Sequence, residues 1–366
     1  MAKKIRVGLV FGGRSAEHEV SLQSARNVLD ALDGGKYEVS LIGIDKTGRW
    51  HLNERSAFLL NAEDPRLISL NRASDEVTLA PRGGSGSLIN VSRHEDAGGL
   101  DVVFPVLHGP YGEDGSVQGL CRLAGVPCVG AGVLGSAVGM DKDVMKRLLR
   151  DAGIPNARFL CIRRADGRPS FAEASDALGL PLFVKPANLG SSVGVSKVRT
   201  EEEYGKALDL AFRYDMKVLV EEFIDGREVE CAVLGNDSPE ASVPGEILPS
   251  HDFYSYEAKY IDEHGAALEI PARLPPAATE AVRRMAVDAF RALCCQGMAR
   301  VDMFVRRDGA VVMNEINTIP GFTRISMYPK LWEASGVSYA ALVDRLIALA
   351  LQRHEAEADL DTEVRL

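Results

Sequence analysis

ARVDMFVRRDGAVVMNEIN, residues 299–317, holds two runs of β-favouring residues on either side of Asp308-Gly309. An Asp-Gly pair in that setting signals a two-residue hairpin turn of type I′, because both residues tolerate the positive φ that the turn demands. Such a turn fixes the pairing: Arg307 meets Ala310, and counting back sets Asp302 opposite Glu315 and Arg300 opposite Asn317. Side chains alternate faces with period two, so these four polar residues share one face of the predicted hairpin. Two carboxylates about 5 Å apart repel by roughly 3 kcal/mol at an effective dielectric near 20, so the pair calls for a cation or a shared proton. Asp, Glu and Asn are all hard oxygen donors, a set that suits Mg²⁺ bound together with substrate phosphates. Two plainer readings stay open on this stretch alone: a surface carboxylate pair softened by Arg300, and a general acid/base pair.

Upstream, KPANLGSSVG (185–194) lies between two predicted strands. Glycines free backbone N–H groups to approach phosphate oxygens, Ser191 and Ser192 add hydroxyl donors, and Lys185 supplies charge. The lysine precedes the glycines, so this is not the G-x-x-x-x-G-K-[ST] phosphate loop. Taken by itself, the segment also reads as an ordinary hairpin loop.

The chain opens with an apolar run at 5–11, then Gly12-Gly13, then Leu22, Ala25, Val28, Leu29 and Leu32 at helical spacing, then a second apolar run at 37–44. Strand, glycine turn, helix and strand in that order predict a parallel sheet with helices on its faces. Residues 45–99 lose that regularity and read as an insertion of short strands and loops. A buried strand at 100–107, a helix from about Gly115 and a short strand at 126–129 complete a first domain, 1–130. A helix predicted over 136–151, with Gly153 and Pro155 as its stop signals, leads into a second domain, 131–220. There, strands at 158–162, 181–185, 193–198 and 218–223 alternate with helices near 171–178 and 201–213, a small α+β layer. The third domain, 221–366, has a strand pair at 228–234 and 245–248, a long polar and aromatic loop at 250–265, a helix near 277–293, the hairpin, and two closing helices.

At 366 residues the chain exceeds what one core usually organises, which is consistent with that division. Lys and Arg number 42 against 52 Asp and Glu, a formal charge of −10 that argues against a nucleic-acid backbone binder. An anionic ligand must therefore meet a local basic pocket. The six cysteines form no C-x-x-C pair or array with histidines and are expected as reduced thiols. The apolar run in MAKKIRVGLVF is too short for a signal-peptide core, and no stretch approaches the roughly 18 apolar residues of a membrane span. A cytoplasmic protein with no membrane or nucleic-acid partner is the expectation.

Four stretches together resemble the D-alanine–D-alanine ligases of the ATP-grasp superfamily: VFGGRSAEHEVSLQSA, LHGPYGEDGSVQG, KPANLGSSVGVSKV with VLVEEFIDGREVE, and FYSYEAKY with ARVDMF and NEINTIPGFT. The resemblance spans nearly the whole chain. It implies an α/β and α+β multidomain fold, in which an N-terminal parallel-sheet, Rossmann-like domain precedes a two-part ATP-grasp fold holding nucleotide between its halves. It also implies the reaction: ATP phosphorylates the carboxylate of one D-alanine, and the amine of a second attacks the acyl phosphate, giving a dipeptide for peptidoglycan precursors. The implied cofactors are ATP with two Mg²⁺ or Mn²⁺ and an accessory monovalent cation, and the implied assembly is a homodimer.

Residue by residue, the resemblance sends Lys142, Lys185, Ser191 and Ser192 to the nucleotide phosphates, the backbone of Glu221, Glu222, Phe223 and Ile224 to adenine, and Glu228 to the ribose. Asp302, Glu315 and Asn317 are implied metal ligands, in agreement with the register argument. Arg300 and the Gly321 N–H are implied to stabilise the transferring phosphoryl group and the oxyanion. Glu17 is implied to meet the first D-alanine's ammonium and His108 to lie near its carboxylate, while Ser326 and Met327 take the second carboxylate. Met327 stands where many members carry leucine, so its contact is implied to be a backbone one. Loop 250–265 looks like the family's lid, with Lys259 reaching the γ-phosphate and Tyr260 linking Ser191 and Glu17.

The nearest rival is a sister ligase making D-alanyl-D-lactate, against which YEAKY in the lid argues. A nicotinamide-dependent oxidoreductase is suggested by the opening strand, glycines and helix, but Gly8, Gly12 and Gly13 do not fit G-x-G-x-x-G. A dead ATP-binding regulator would have no need of an intact Asp302, Glu315, Asn317 and Arg300.

Overall fold

In a computed structural model, residues 3–54, 58–61, 68–71, 75–81, 86–249 and 266–361 are described. The predicted opening is β1 (Ile5–Gly12), α1 (His18–Ala31) and β2 (Tyr37–Ile44), with β1 and β2 parallel from Ile5↔Tyr37 to Gly12↔Ile44. Gly12 makes the sharp exit possible: its φ is +88°, and a Cβ there would stand 2.2 Å from the Ile44 carbonyl oxygen. The region 45–99 supplies β3 (Trp50–Asn53), β4 (Leu59–Leu60), β5 (Ser69–Leu70), β6 (Asp75–Ala80), β7 (Ser87–Asn90) and β8 (Glu95–Gly99). β9 (Val102–Pro105) then returns beside β1, parallel to it. The sheet order is β8-β7-β6-β3-β2-β1-β9, while β4 and β5 pair apart. Only β2-β1-β9 is parallel; the insertion adds antiparallel strands to one edge, as the alternating burial of Val77 and Leu79 in β6 allows. α2 (Ser116–Leu123) follows, and the strand expected at 126–129 is reduced to a single bridge between Val103 and Cys128.

The single helix expected over 136–151 is two helices, α3 (Val133–Met140) and α4 (Lys142–Asp151). The break is at Asp141, whose φ of −84° and ψ of 100° leave the helical region. Its carboxylate accepts the N–H groups of Asp143 and Val144 at 3.1 Å and pairs with Lys217 at 2.6 Å, so one side chain both ends α3 and caps α4. Lys142 thereby becomes the first residue of α4. β10 (Phe159–Arg163), α5 (Phe171–Leu178), β11 (Leu182–Pro186), β12 (Ser196–Val198), α6 (Glu201–Ala211) and β13 (Lys217–Glu222) follow, in a sheet ordered β10-β13-β11-β12. Capping boxes, Ser170 with Glu173 and Thr200 with Glu203, start α5 and α6.

The third sheet is built from β14 (Gly226–Gly235), β15 (Glu240–Ala241), β16 (Gly245–Pro249), β17 (Ala266–Glu269), β18 (Gly297–Arg306) and β19 (Val311–Asn317), with α7 (Pro276–Ala292) on one face. α8 (Met327–Ala334) and α9 (Tyr339–Ala358) close the chain. Val229, Cys231, Val301, Met303, Val311 and Met313 pack under Val282, Ala286 and Phe290 of α7. A second core joins the two ends of the chain, with Leu9, Leu22 and Phe104 against Tyr328, Leu342 and Leu346. Among the described residues no single helix is long and apolar enough to cross a membrane.

The hairpin keeps the predicted polar pairing by another route. The Arg306 N–H meets the Ala310 carbonyl at 2.9 Å and Gly309 sits at φ +84°, which is a three-residue loop ending in a left-handed glycine in place of the two-residue turn. Val305 therefore faces Val311 and Met303 faces Met313, one step off the predicted register. A bulge at Asn314 restores that step, and Asp302 faces Glu315 and Arg300 faces Asn317 as expected.

Replacing Asp141 with Ala should destabilise the protein by about 1–2 kcal/mol, the worth of an N-cap, while Asp141→Asn, which keeps the cap, should cost less. Urea denaturation of the three proteins measures this; equal midpoints for parent and Asp141→Ala would contradict the capping role.

Candidate active site

Between the central sheet and the third sheet lies a cavity of about 360 Å³. Phe183 and Phe223 form one wall, with ring centroids 6.2 Å apart and planes 26° from parallel, and the Lys197 ammonium stands 4.8 Å from the Phe223 centroid. Ile224, Glu228, Leu248 and Phe304 line the rest of this end. A flat, largely apolar slot beside aromatic faces suits a planar heterocycle. Glu222, also at the lining, pairs with Arg158 at 2.7 Å.

At the back of the slot the buried Glu221 carboxylate lies between two lysines, Lys185 at 2.8 Å and Lys146 at 3.3 Å. Burial alone would raise the Glu221 carboxyl, but the two ammonium groups hold it below the ordinary range. Lys146 is fully buried, and burial pushes it down to about 8 against the pull of Glu221. The sequence reading passed over Lys146. Its signal was a lysine four residues after Lys142, next to Met145 on the buried face of α4.

The other end of the cavity carries the predicted ionic residues. Lys142 donates to the Leu189 carbonyl at 2.8 Å and pairs with Glu315 at 3.2 Å. Arg300 grips both oxygens of Asp302, at 2.8 and 2.7 Å, and reaches Glu230 at 2.9 Å, while the Asn317 amide donates to Asp302 at 3.0 Å. Asp302 and Glu315 are thus already faced by cations. Among the described residues no three His, Cys, Asp or Glu side chains converge as a metal cage. Two carboxylates and an amide in register fit an ion that completes its shell with water and phosphate oxygens, as Mg²⁺ does. Above them, Ser191 and Ser192 hold left-handed φ values of 52° and 59°, a curl that exposes successive N–H groups.

A third cluster joins the first sheet to this loop. Glu17, at the start of α1, is buried and accepts a hydrogen bond from the Ser191 hydroxyl. His108 Nδ1 meets the Ile319 carbonyl at 2.9 Å; a carbonyl only accepts, so Nδ1 carries the proton and Nε2 faces Ser24 Oγ at 3.1 Å as acceptor. Burial lowers the His108 pKa, which keeps the ring neutral. Glu113, a residue the sequence reading missed within LHGPYGEDG, accepts the N–H of Gly109 at 2.8 Å and that of Ile319 at 2.9 Å. Burial, then the Glu17 charge, pushes its carboxyl up to about 8. Gly321 abuts Ser326, whose hydroxyl lies 3.0 Å from the Thr323 nitrogen, and the Met327 side chain is buried in the core shared by the chain ends. The predicted lid 250–265, with Lys259 and Tyr260, lies outside the described residues.

Comparisons with known proteins accord with this geometry. Residues 6–131 match the family D-ala D-ala ligase N-terminus and residues 148–348 the family D-ala D-ala ligase C-terminus. The D-alanine–D-alanine ligase of Oceanobacillus iheyensis is 55% identical over 358 residues, 98% of this chain and 98% of its own. Among solved structures, the D-alanine-D-alanine ligase from Coxiella burnetii superposes with a TM-score of 0.84 at 40% identity, covering 98% of this chain and 97% of that one. The VanG D-Ala:D-Ser ligase from Enterococcus faecalis gives 0.83 at 37% identity, covering 95% and 100%. The chain belongs to the D-alanine–D-alanine ligase family, ATP-dependent ligases of the ATP-grasp fold.

Proposed function

We propose that the cavity between the central and third sheets holds ATP, with its purine against Phe183 and Phe223 and its phosphates running toward Lys142, Lys185, Ser191 and Ser192. The observation that carries the reading is that Glu315 and Lys142, paired with each other, both line that cavity, with Asp302 opposite Glu315 and Arg300 opposite Asn317 on the same hairpin. The carboxylate oxygen of one D-alanine forms a bond to the γ-phosphorus as the bond to the β-phosphate oxygen breaks and ADP leaves. The amine of a second D-alanine then attacks the carbonyl carbon, and inorganic phosphate leaves with the proton taken up by solvent or a nearby base. Asp302, Glu315 and Asn317 would hold divalent cations, which when bound neutralise phosphate charge.

Arg300 offers a planar set of donors to the transferring group, and the Gly321 N–H offers one to the oxyanion. Glu17, buried and beside Ser191, suits the ammonium of the first D-alanine, with His108 nearby as a neutral donor-acceptor. Ser326 and the backbone of Met327, at the start of α8, suit the carboxylate of the second. Adenine recognition falls to the backbone of Glu221 to Ile224, ribose recognition to Glu228, and lid closure to 250–265 with Lys259 and Tyr260. The working units are 1–130, 131–220 and 221–366. Family membership supports a homodimer and cytoplasmic residence.

Phosphate release from ATP is expected to depend on D-alanine and to be weak with L-alanine or with D-lactate as the added partner. Release at the same rate without D-alanine would overturn the substrate assignment. Glu315→Gln is expected to lower turnover at least about a hundredfold while leaving the fold intact, because it removes one charge from the face that balances the phosphates. Circular dichroism checks the fold. Turnover near the parent's at saturating Mg²⁺ would remove Glu315 from the site.

A further inference from the structure

The segment that leaves β19, residues 318–322, carries Gly321 and belongs by sequence to the third sheet, yet the first sheet's side chains hold its backbone. The Ile319 peptide is gripped at both ends: its N–H by Glu113 at 2.9 Å and its carbonyl by His108 Nδ1 at 2.9 Å. One turn on, the Phe322 N–H meets Ser24 Oγ at 3.3 Å, and the same hydroxyl faces His108 Nε2 at 3.1 Å. Ser24, His108 and Glu113 come from α1 and from the loop between β9 and α2, and all three are buried. Glu113 also accepts the N–H of Gly109, so it ties the loop that bears His108 to the segment that bears Gly321.

We propose that Glu113 is a positioning residue for the ligation step, holding the Gly321 N–H where the oxyanion forms by fixing the Ile319 peptide. This rests on the role given to Gly321 above. Both partners are N–H donors and each oxygen accepts one, a pairing that the ionised carboxylate completes; with the carboxyl pushed up to about 8 that form prevails above this pH, so the kinetic comparison belongs there. Glutamine has nearly the same volume but one acceptor and one NH₂ group, so it can satisfy only one of the two N–H groups. His108 and Ser24 complete the grip from the far side of the peptide.

The test compares the parent, Glu113→Gln and Ser24→Ala, the second reaching the same segment from a different element. For each, nucleotide-binding stoichiometry and affinity are measured by calorimetry, alongside kcat and the KM values for ATP and D-alanine. The expected result is that both variants bind one equivalent of nucleotide with affinity within about twofold of the parent. The kcat of Glu113→Gln should fall about tenfold or more with the KM for ATP unchanged, the pattern of an interaction lost only in the transition state. Ser24→Ala should lose kcat in the same sense. Turnover within twofold of the parent for both variants, or a loss that follows the fraction of protein still binding nucleotide, overturns the proposal. A parent that shows no D-alanine-dependent phosphate release contradicts the ligase reading itself, a different failure from either of these.

Discussion

The site is organised by the repulsion of carboxylates on neighbouring strands. Register places Glu230 opposite Asp302 and Asp302 opposite Glu315, a row of three acids across β14, β18 and β19. Each neighbouring pair at strand spacing costs roughly 3 kcal/mol at an effective dielectric near 20 unless positive charge is placed among them. Arg300 lies between Glu230 and Asp302, and Lys142 reaches Glu315 from α4. The second contact is why the helix break at Asp141 matters: as the first residue of α4, Lys142 can serve both Glu315 and the Leu189 carbonyl. With Arg300 and Lys142 in place, each acid of the row faces a cation.

Much of this was legible in the sequence because it depended on period and register, which are local. The four polar residues of the hairpin share a face as predicted, although the turn that was meant to fix the register has another form. The clue to the difference was already in VVMNEIN. Val311 and Met313 share one parity and Ile316 has the other, so all three reach the α7 core only if one residue is extruded between them. Asn314 is that residue, and it lines the cavity. The missed helix break has a similar origin. Apolar spacing runs smoothly from 136 to 151, and the partner that helps pull Asp141 out of helical geometry, Lys217, is distant in sequence.

The residues missed were those whose environment comes from elsewhere in the chain. Lys146 looks like a solvent lysine until β11 and β13 bring Lys185 and Glu221 against it. A fully buried ammonium pays desolvation that one carboxylate only partly returns, so its presence is weak evidence for stability and better evidence that the Glu221 carboxylate must stay fixed at the back of the slot. Glu113 likewise reads as a loop acid. Its partner Ile319 is more than two hundred positions away, and only the assembled fold turns it into an acceptor of two backbone donors.

The two halves of the site rest on different cores. The central sheet closes on its own cluster, with Ile162, Leu182, Val184, Val218 and Val220 against Leu178, Tyr204 and Leu208. The first sheet and the C-terminal helices share another, in which Phe322 touches Phe104, Tyr328 and Tyr339 edge-on or tilted at 5.5–6.1 Å. Gly321 is therefore anchored by an aromatic next to it in a core common to both ends of the chain. The cavity between the central and third sheets, in contrast, is lined from both sides, by Phe183, Lys185 and Glu221 on one and Ile247, Phe304 and Glu315 on the other. Moving the central sheet as a body would alter Lys185, Glu221 and the Ser191 loop without disturbing the packing that sets Ile319, Gly321 and Ser326. The Glu17 bond to Ser191 crosses that boundary. Through it, a shift of the Ser191 loop is felt directly at Glu17.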